Sequence, residues 1–278
     1  MTILDEIFSQ KRLEIARRKR VKPLAEVQAT ARRAAPAMDF VAALRRGSLL
    51  SGRMRGPALI AEIKRASPSR GLLRSDFDPV GLARLYRQNG AAAISVLTDE
   101  RYFRGHLDHL RRIAGDFLAR GPRLPLLRKD FICDSYQVYE SRAAGADAIL
   151  LIAAYLKPDH LQQLHMLALS VGMAPLVEVH SEDELSRALK CDPILVGINN
   201  RDLKDFSINL ETSVHLRSLI PPGIFVVAES GIHSREDVEM LAGAEVDAIL
   251  VGEALVTAAN TAGVVRILSG LEVSIENQ

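Results

Sequence analysis

The chain reads as an α/β protein, a closed (β/α)8 barrel of the TIM-barrel class with an N-terminal helical extension. Three observations predict this fold. Eight short apolar runs alternate with helical patterns from residue 58 onward, the segments leading into alternate runs echo one another, and ionisable or amide side chains recur where the runs end. An open doubly wound sheet is the alternative, and it requires no eightfold count.

The predicted strands are 58–63, 92–97, 124–128, 147–152, 174–179, 194–199, 224–229 and 247–252. Their near-continuous apolarity suits parallel strands covered on both faces rather than half-exposed antiparallel ones. Helix signals fall between them. Asp78-Pro79 supplies an N-cap and a first helical residue, and Gly90 a helix stop. Ser181 with Glu184 has capping-box spacing, and Ser234 with Asp237 is a weaker version of it. Pro158 opens an amphipathic run that contains Leu161 and Leu164.

The echo is Gly90-Ala-Ala-Ala-Ile94, Gly145-Ala-Asp-Ala-Ile149 and Gly243-Ala-Glu-Val-Asp-Ala-Ile249, each leading from a helix end into a strand. Cys191-Asp-Pro-Ile194 stands in the corresponding place before strand six. The repeating unit is therefore two strands with their helices, as a closed eightfold barrel allows. Residues 1–47 form a helical extension: Ile3, Leu4, Ile7 and Phe8 recur at helical spacing, as do Phe40, Val41 and Leu44. Between them lies an Ala/Arg-rich, Pro-bounded stretch, roughly 23–37. The extension has too few apolar residues for its own core, so residues 1–278 are expected to form one catalytic domain.

Composition narrows the function classes. A chain of 278 residues, 48% hydrophobic, can fill one large core, and its formal charge of +2 gives no bulk pull toward nucleic acid. The basic run Arg17-Arg18-Lys19-Arg20 is expected to be the solvated carboxyl end of a helix. Two cysteines, Cys133 and Cys191, make neither a disulfide framework nor a metal cluster and read as reduced thiols of a cytosolic protein. No apolar run approaches the roughly 20 residues of a membrane helix. The acidic, amphipathic N-terminus does not resemble a signal peptide. His106 and His109 stand at i,i+3 with no evident acidic partner, and the other histidines, His180 among them, are scattered, so no metal site is expected.

The strand ends carry the chemistry. Glu62, Glu178 and Glu229 supply carboxylates, Lys64 and Lys129 ammonium groups, and Asn199 an amide. Singly, Glu229 could cap its own loop, and Lys129 beside Asp130 could form an exposed ion pair. Together they converge on the carboxyl face, where barrels of this class place their active sites, and neighbouring Lys and Glu groups suit general acid–base work. The glycines of Glu229-Ser230-Gly231 and Val251-Gly252-Glu253 let backbone N–H groups approach an anion after strands seven and eight.

At these residues the chain resembles the indole-3-glycerol phosphate synthase family of tryptophan biosynthesis. The motifs run from Ile3-Leu4-Asp5-Glu6-Ile7 with Lys11-Arg12 through Glu62-Ile63-Lys64-Arg65-Ala66-Ser67-Pro68-Ser69 and Ser95-Val96-Leu97-Thr98-Asp99 to Tyr102-Phe103-Arg104-Gly105. They continue through Leu127-Arg128-Lys129-Asp130-Phe131, Pro175-Leu176-Val177-Glu178, Gly197-Ile198-Asn199-Asn200-Arg201-Asp202-Leu203 and Ala228-Glu229-Ser230-Gly231. The resemblance spans essentially the whole chain.

It implies ring closure, decarboxylation and dehydration of 1-(2-carboxyphenylamino)-1-deoxyribulose 5-phosphate, without a cofactor. By resemblance Lys129 is the general acid of ring closure and Glu178 a proton-transfer partner in dehydration. Lys64 would hold the substrate carboxylate or act as a second acid. Glu62, Asn199 and Glu229 would orient the lysines and sugar hydroxyls, with Arg201 in support. Ser67, Ser230, Gly231 and Gly252 would hold phosphate, and Phe103, Phe131, Leu150 and Leu203 the aromatic ring. Glu253 stands where some relatives carry serine, so its carboxylate is expected to point away from the phosphate. Arg128 departs from the uncharged residue expected there and is assigned outward, toward the helices. Independently of the resemblance, Gly71 and its polar neighbours predict that residues 68–76, after strand one, form a mobile lid.

The expected partner is a small phosphosugar substrate, with no nucleic acid and no membrane, acting on a monomer or weak homodimer. Two rival functions fit these residues less well. A phosphoribosylanthranilate isomerase barrel typically pairs Cys with Asp, and neither cysteine here ends the first strand. A non-catalytic scaffold on the same fold would have no physical reason to keep several costly buried charges.

Overall fold

The computed structural model describes residues 3–50, 56–68, 70–202 and 206–271. Eight parallel strands close into a barrel: β1 (Ala58–Ile63), β2 (Ala93–Leu97), β3 (Leu126–Lys129), β4 (Ala148–Ile152), β5 (Ala174–Val179), β6 (Leu195–Asn199), β7 (Phe225–Glu229) and β8 (Ala248–Val251). Closure pairs β1 with β8, Ala58 opposite Ala248. The open-sheet alternative is thereby excluded. The expected spans agree with the observed strands to within two residues. The largest shift is at β3, which starts at Leu126 because Pro125 has no N–H to give the ladder, and which keeps Lys129 opposite Leu97.

Helices α1 (Ile3–Val21), α2 (Leu24–Arg33) and α3 (Phe40–Leu50) precede the barrel. Around it lie α4 (Pro79–Gln88), α5 (Leu107–Arg120), α6 (Ser135–Ala143), α7 (Pro158–Ser170), α8 (Glu182–Leu189), α9 (Glu211–Ser218), α10 (Arg235–Gly243), α11 (Glu253–Val256) and α12 (Thr261–Ser269). Asp78 caps α4 through the Val80 N–H, as its sequence signal implies. The two capping boxes come out in the opposite order of completeness. Ser234 and Asp237 make the reciprocal box of α10. Ser181 accepts from the Glu184 N–H, but the Glu184 carboxylate reaches back to the backbone of His180, one residue further out.

The period-two alternation of the strands sorts side chains into two cores. Outward residues such as Leu59, Ile94, Leu126, Val177 and Ile249 pack under the helices. Inward residues form a second cluster that begins at the amino end with alanines 58, 93, 148 and 248. Three of these alanines sit in the repeated Gly-Ala-x-Ala-Ile segments. The room they leave is filled by Phe40 and Leu44 of α3, which plugs the barrel floor. A Cβ on Gly47 would run into Ala92, so α3 owes its close approach to that glycine. The repeat has a second structural meaning. Asp147 and Asp247 each accept from the N–H of a residue 21 positions earlier, Leu126 at 2.9 Å and Val226 at 2.8 Å, so equivalent carboxylates stitch β4 to β3 and β8 to β7.

The Ala/Arg-rich stretch contains α2, a helix that its lack of a long apolar stripe conceals. Val27 and Ala31 are buried, and Val27 joins Ile15 of α1 and Tyr136 of α6. The basic run at the end of α1 is not merely solvated. Arg18 pairs with Glu14, with Glu100 at 2.9 Å and with Glu140 at 3.0 Å, and Lys19 with Asp134 at 2.7 Å, tying α1 to the barrel.

One lysine of α1 is fully buried in that attachment. Lys11 is 1% exposed, and its ammonium lies 2.8 Å from Asp99, 2.9 Å from Glu14 and 3.0 Å from Asp130. Arg128, also fully buried, points outward to α6. It bonds Asp130, Glu140 and the Thr98 hydroxyl, each at 3.0 Å. Burial alone would raise the Asp130 carboxyl, but Lys11 and Arg128 outweigh it and hold it well below the usual carboxylate range.

Removing Lys11 leaves three carboxylates facing an uncharged gap. Lys11→Met should therefore lower unfolding free energy by about 3–5 kcal/mol in urea titrations at neutral pH. Arg235→Ala, at the exposed i,i+4 pair with Glu239, should change it by no more than about 0.5 kcal/mol. Equal small effects would show that the Lys11 cluster is dispensable.

Candidate active site

The carboxyl ends of the strands converge on one pocket. Lys129, the last residue of β3, points inward because it alternates with Arg128. Its ammonium lies 2.9 Å from Glu229 of β7 and 3.4 Å from Glu178 of β5. A second pair stands across the mouth, where Lys64, just past β1, lies 2.9 Å from Glu62. Asn199 of β6 takes the Arg201 N–H on its oxygen at 3.1 Å, which leaves its amide group to donate to Glu178.

Two glycines make room for these carboxylates. A Cβ at Gly197 would collide with the Glu229 carboxylate, and one at Gly252 with that of Glu62. Both glycines occupy inward positions beside the strand that carries the acid. Large side chains there would force the carboxylates out of the barrel mouth.

The three groups around Lys129 are pushed apart electrostatically. Burial works against the Lys129 ammonium, yet Glu229, Glu178 and Glu62 outweigh it and hold its pKa above the ordinary lysine value. Burial pushes Glu229 up to about 7 despite Lys129, with Glu178 and Glu62 adding to the rise. Glu178 goes the other way: burial would raise it, but Lys129, His180 and Asn199 bring it below the ordinary glutamate value. The site thus holds a charged amine, an ionised carboxylate and a carboxyl poised near neutrality within one contact shell. Such a set can deliver and collect protons at a bound molecule.

After β7 the chain takes two successive left-handed residues, Ser230 (φ 69°) and Gly231 (φ 81°). Both residues line the pocket, and a turn of this kind presents backbone N–H groups in a way suited to an anion. A side chain at Gly231 would strike Ile208 as well as strain the backbone. Ser67 and Gly252 line the same end. Ser67 belongs to a short antiparallel hairpin, Ala66–Ser67 with Gly71–Leu72, which rises from β1 where a lid was expected. Glu253 points at the hairpin and pairs with Arg70 at 3.0 Å.

The opposite wall is apolar. Phe103 and Phe131 stand 6.1 Å apart, Phe131 meets Phe8 of α1 edge-on at 5.5 Å, and Leu150 lies below them. Of the sequence-derived site residues, Lys129, Glu178, Lys64, Glu62, Asn199, Glu229, Ser67, Phe103, Phe131, Leu150, Arg201, Ser230, Gly231 and Gly252 all line this one pocket. Leu203 lies outside the described residues.

Several lining residues escape a reading by strand ends. Ile3, Leu4 and Ile7 bring α1 over the pocket as its roof, a role that an apolar helical stripe alone does not distinguish from ordinary packing. Phe206 extends the apolar wall. His180, counted among scattered histidines, lies 3.6 Å from Glu178. Asp130 is no exposed partner of Lys129 but belongs to the Lys11 cluster. His106 is the N-cap of α5 rather than part of its face, and has an acidic neighbour in Glu100 at 3.7 Å. Among the described residues no group of three or more His, Cys, Asp or Glu is placed to hold a metal ion.

The family model described as "Indole-3-glycerol phosphate synthase" matches residues 4–268. A protein of that name from Roseiflexus castenholzii is 49% identical over 272 residues, covering 97% of this chain and 98% of the relative. One from Dehalococcoides mccartyi is 49% identical over 267 residues, covering 96% and 99%. Among solved structures, 3-hexulose-6-phosphate synthase from Salmonella typhimurium superposes with a TM-score of 0.62 at 14% identity, over 76% of this chain and 96% of that one. Thiamine phosphate pyrophosphorylase from Pyrococcus furiosus gives 0.57 at 18%, over 81% and 95%. At such identities these two speak for the barrel fold alone, whereas the family match and the close relatives, which span nearly the full length of this chain, show that it belongs to the indole-3-glycerol phosphate synthase family.

Proposed function

We propose that this pocket closes an indole ring, converting 1-(2-carboxyphenylamino)-1-deoxyribulose 5-phosphate to indole-3-glycerol phosphate, carbon dioxide and water. The chain is thereby a carboxy-lyase of tryptophan biosynthesis. The observation that best supports the chemistry is Lys129 suspended between Glu229 at 2.9 Å and Glu178 at 3.4 Å in a pocket with one apolar and one anion-accepting end.

The reaction changes no oxidation state that needs a redox partner, so acid–base groups suffice. The ring carbon that bears the carboxylate attacks the ketone while Lys129 gives the ketone oxygen a proton. Carbon dioxide then leaves, and the electrons of the broken bond restore the aromatic ring. Lys64 holds the carboxylate and protonates the new hydroxyl as it departs as water. Glu178 takes a proton from the neighbouring methylene to complete the indole. Glu62 and Glu229 hold the two ammonium groups in place, and Asn199 and Arg201 steady the mouth. Phosphate rests on Ser67 and on the N–H groups of Ser230, Gly231 and Gly252. The anthranilate ring lies against Phe103, Phe131 and Leu150 under the α1 roof. We place the enzyme in the cytoplasm, acting on the phosphosugar alone as a monomer or weak homodimer.

Lys129→Ala tests the assignment directly. Indole fluorescence should appear about 10²–10⁴-fold more slowly, while a non-reacting substrate analogue binds nearly as before. Undiminished turnover would remove Lys129 from the centre of the reaction.

Glu229 makes a second, pH-resolved test. Protonation near pH 7 releases its hold on Lys129, so kcat/KM should fall as pH drops below about 7, and Glu229→Gln should lose that limb. Its effect on stability has the opposite sense. A carboxyl whose folded pKa exceeds its unfolded value of 4.5 binds its proton more tightly when folded, so its contribution declines as pH rises from 4.5 to about 7. Glu229→Gln should therefore gain stability relative to the parent between pH 5 and pH 8, read by urea unfolding at both. A difference that shrinks over that range would contradict the raised carboxyl.

A further inference from the structure

We propose that His180, backed by Glu184, supplies through Glu178 the one proton that each turnover consumes. The inference rests on the ring-closing reading above, because the demand for a proton comes from that reaction's charge balance. Substrate enters with an ionised carboxylate that leaves as neutral carbon dioxide. One proton goes to the ketone oxygen and one to the departing hydroxyl, and only one comes back from the methylene. Each cycle therefore leaves one amine short of a proton inside a filled pocket, where Glu178 and Glu229 are almost wholly buried.

His180 is placed to cover that deficit. It follows β5 two residues after Glu178, so in extended chain both side chains fall on the same side. Its Nε2 is buried, has no hydrogen-bond partner among the described residues and lies 3.6 Å from Glu178 Oε1. Such contacts commonly tighten only when the site is occupied. On the other side of the ring, Nδ1 lies 3.1 Å from Glu184 Oε2, which also accepts the His180 backbone N–H at 2.8 Å. Glu184 sits in the first turn of α8 and is itself partly exposed.

The Lys129 ammonium stands 3.4 Å from Glu178, and three acids favour the charged imidazole: Glu184, Glu178 and Glu229. Burial disfavours its charged form, but the Glu184 hydrogen bond and these charges outweigh it and hold the pKa above the usual histidine value. These interactions favour the imidazolium form of the ring before substrate arrives. In the occupied pocket the Nε2–H bond breaks, its electron pair stays on nitrogen, and the proton joins Glu178 Oε1. Glu178 then passes that proton to the spent Lys129 amine 3.4 Å away, which leaves Glu178 ionised to take the methylene proton. As product departs the methylene proton returns to Lys64, so both amines are charged again. The neutral ring, still held by Glu184 through Nδ1–H, takes a proton from water when product leaves and the pocket reopens. His180 touches no reacting atom and acts through Glu178.

The test uses the full chain with the true substrate. His180→Gln should lower kcat about tenfold with KM nearly unchanged, enlarge the solvent deuterium effect on kcat, and make kcat depend on buffer concentration. In His180→Ala, added imidazole should restore much of the loss. Glu184→Gln should shift the alkaline limb of kcat to lower pH, since the imidazolium loses its support. A His180→Gln enzyme with parental kcat and isotope effect would overturn the proposal. So would a loss in both His180 variants that neither imidazole nor buffer relieves, which is the mark of a purely structural role. A parental chain that forms no indole product would instead overturn the ring-closure reading, and this inference with it.

Discussion

The Lys129 ammonium, held between the Glu229 and Glu178 carboxylates, is the interaction around which the barrel mouth is arranged. Three ionisable groups in so dry a place cost several kcal/mol of desolvation, recovered only if geometry is kept tight. The closed sheet keeps it tight, since β3, β5 and β7 are each bonded to neighbours on both sides. Glycines at 197 and 252 clear the space the acids need. The balance remains imperfect, and Glu229 shows it: burial, with a second acid competing for the same cation, leaves its carboxyl titrating near neutrality.

The neighbours of Lys129 show how strand parity distributes charge. Arg128, Lys129 and Asp130 are consecutive, yet they serve three environments. Arg128 faces α6, Lys129 faces the pocket, and Asp130 turns to Lys11 of α1. The same short segment therefore anchors the extension and presents the central amine. Because α1 also roofs the pocket with Ile3, Leu4 and Ile7, the Lys11 cluster couples the stability of the extension to the shape of the site. The opposite end of the barrel is closed by apolar means, with Phe40 and Leu44 settling onto a floor of alanines. One end stores charge and the other excludes water.

A resemblance carried by short motifs and a geometry built from strand ends lead to the same pocket by independent routes. The motifs mark which residues recur in order, and the pocket shows why Glu178 and Glu229 behave unlike each other. It also draws in His180, which no strand-end pattern marks, because a histidine one step past a strand looks the same in sequence whether it faces a carboxylate or water.

Periodicity determined much of this protein unaided. Eight apolar runs, their echoing approach segments and the polar residues at their ends were legible, because burial on both faces leaves an unbroken apolar signature and a barrel gathers strand ends at one rim. Asp78, Ser181 and Ser234 marked helix starts for an equally local reason, the need of first-turn N–H groups for an acceptor. Helix α2 was not legible, since its two buried residues, Val27 and Ala31, make too narrow a stripe to stand out from an Ala/Arg-rich stretch. Nor was the fate of every charge: Lys11 looks like a surface residue until the fold surrounds it with Glu14, Asp99 and Asp130, and Arg128, whose outward direction was legible, gave no sign of its acidic partners Asp130 and Glu140. Lys11 meets Asp99 and Asp130, and Lys129 meets Glu178 and Glu229, across distant stretches of chain, so only the closed tertiary structure decides which cation meets which acid, and which carboxyl is left to titrate near neutrality.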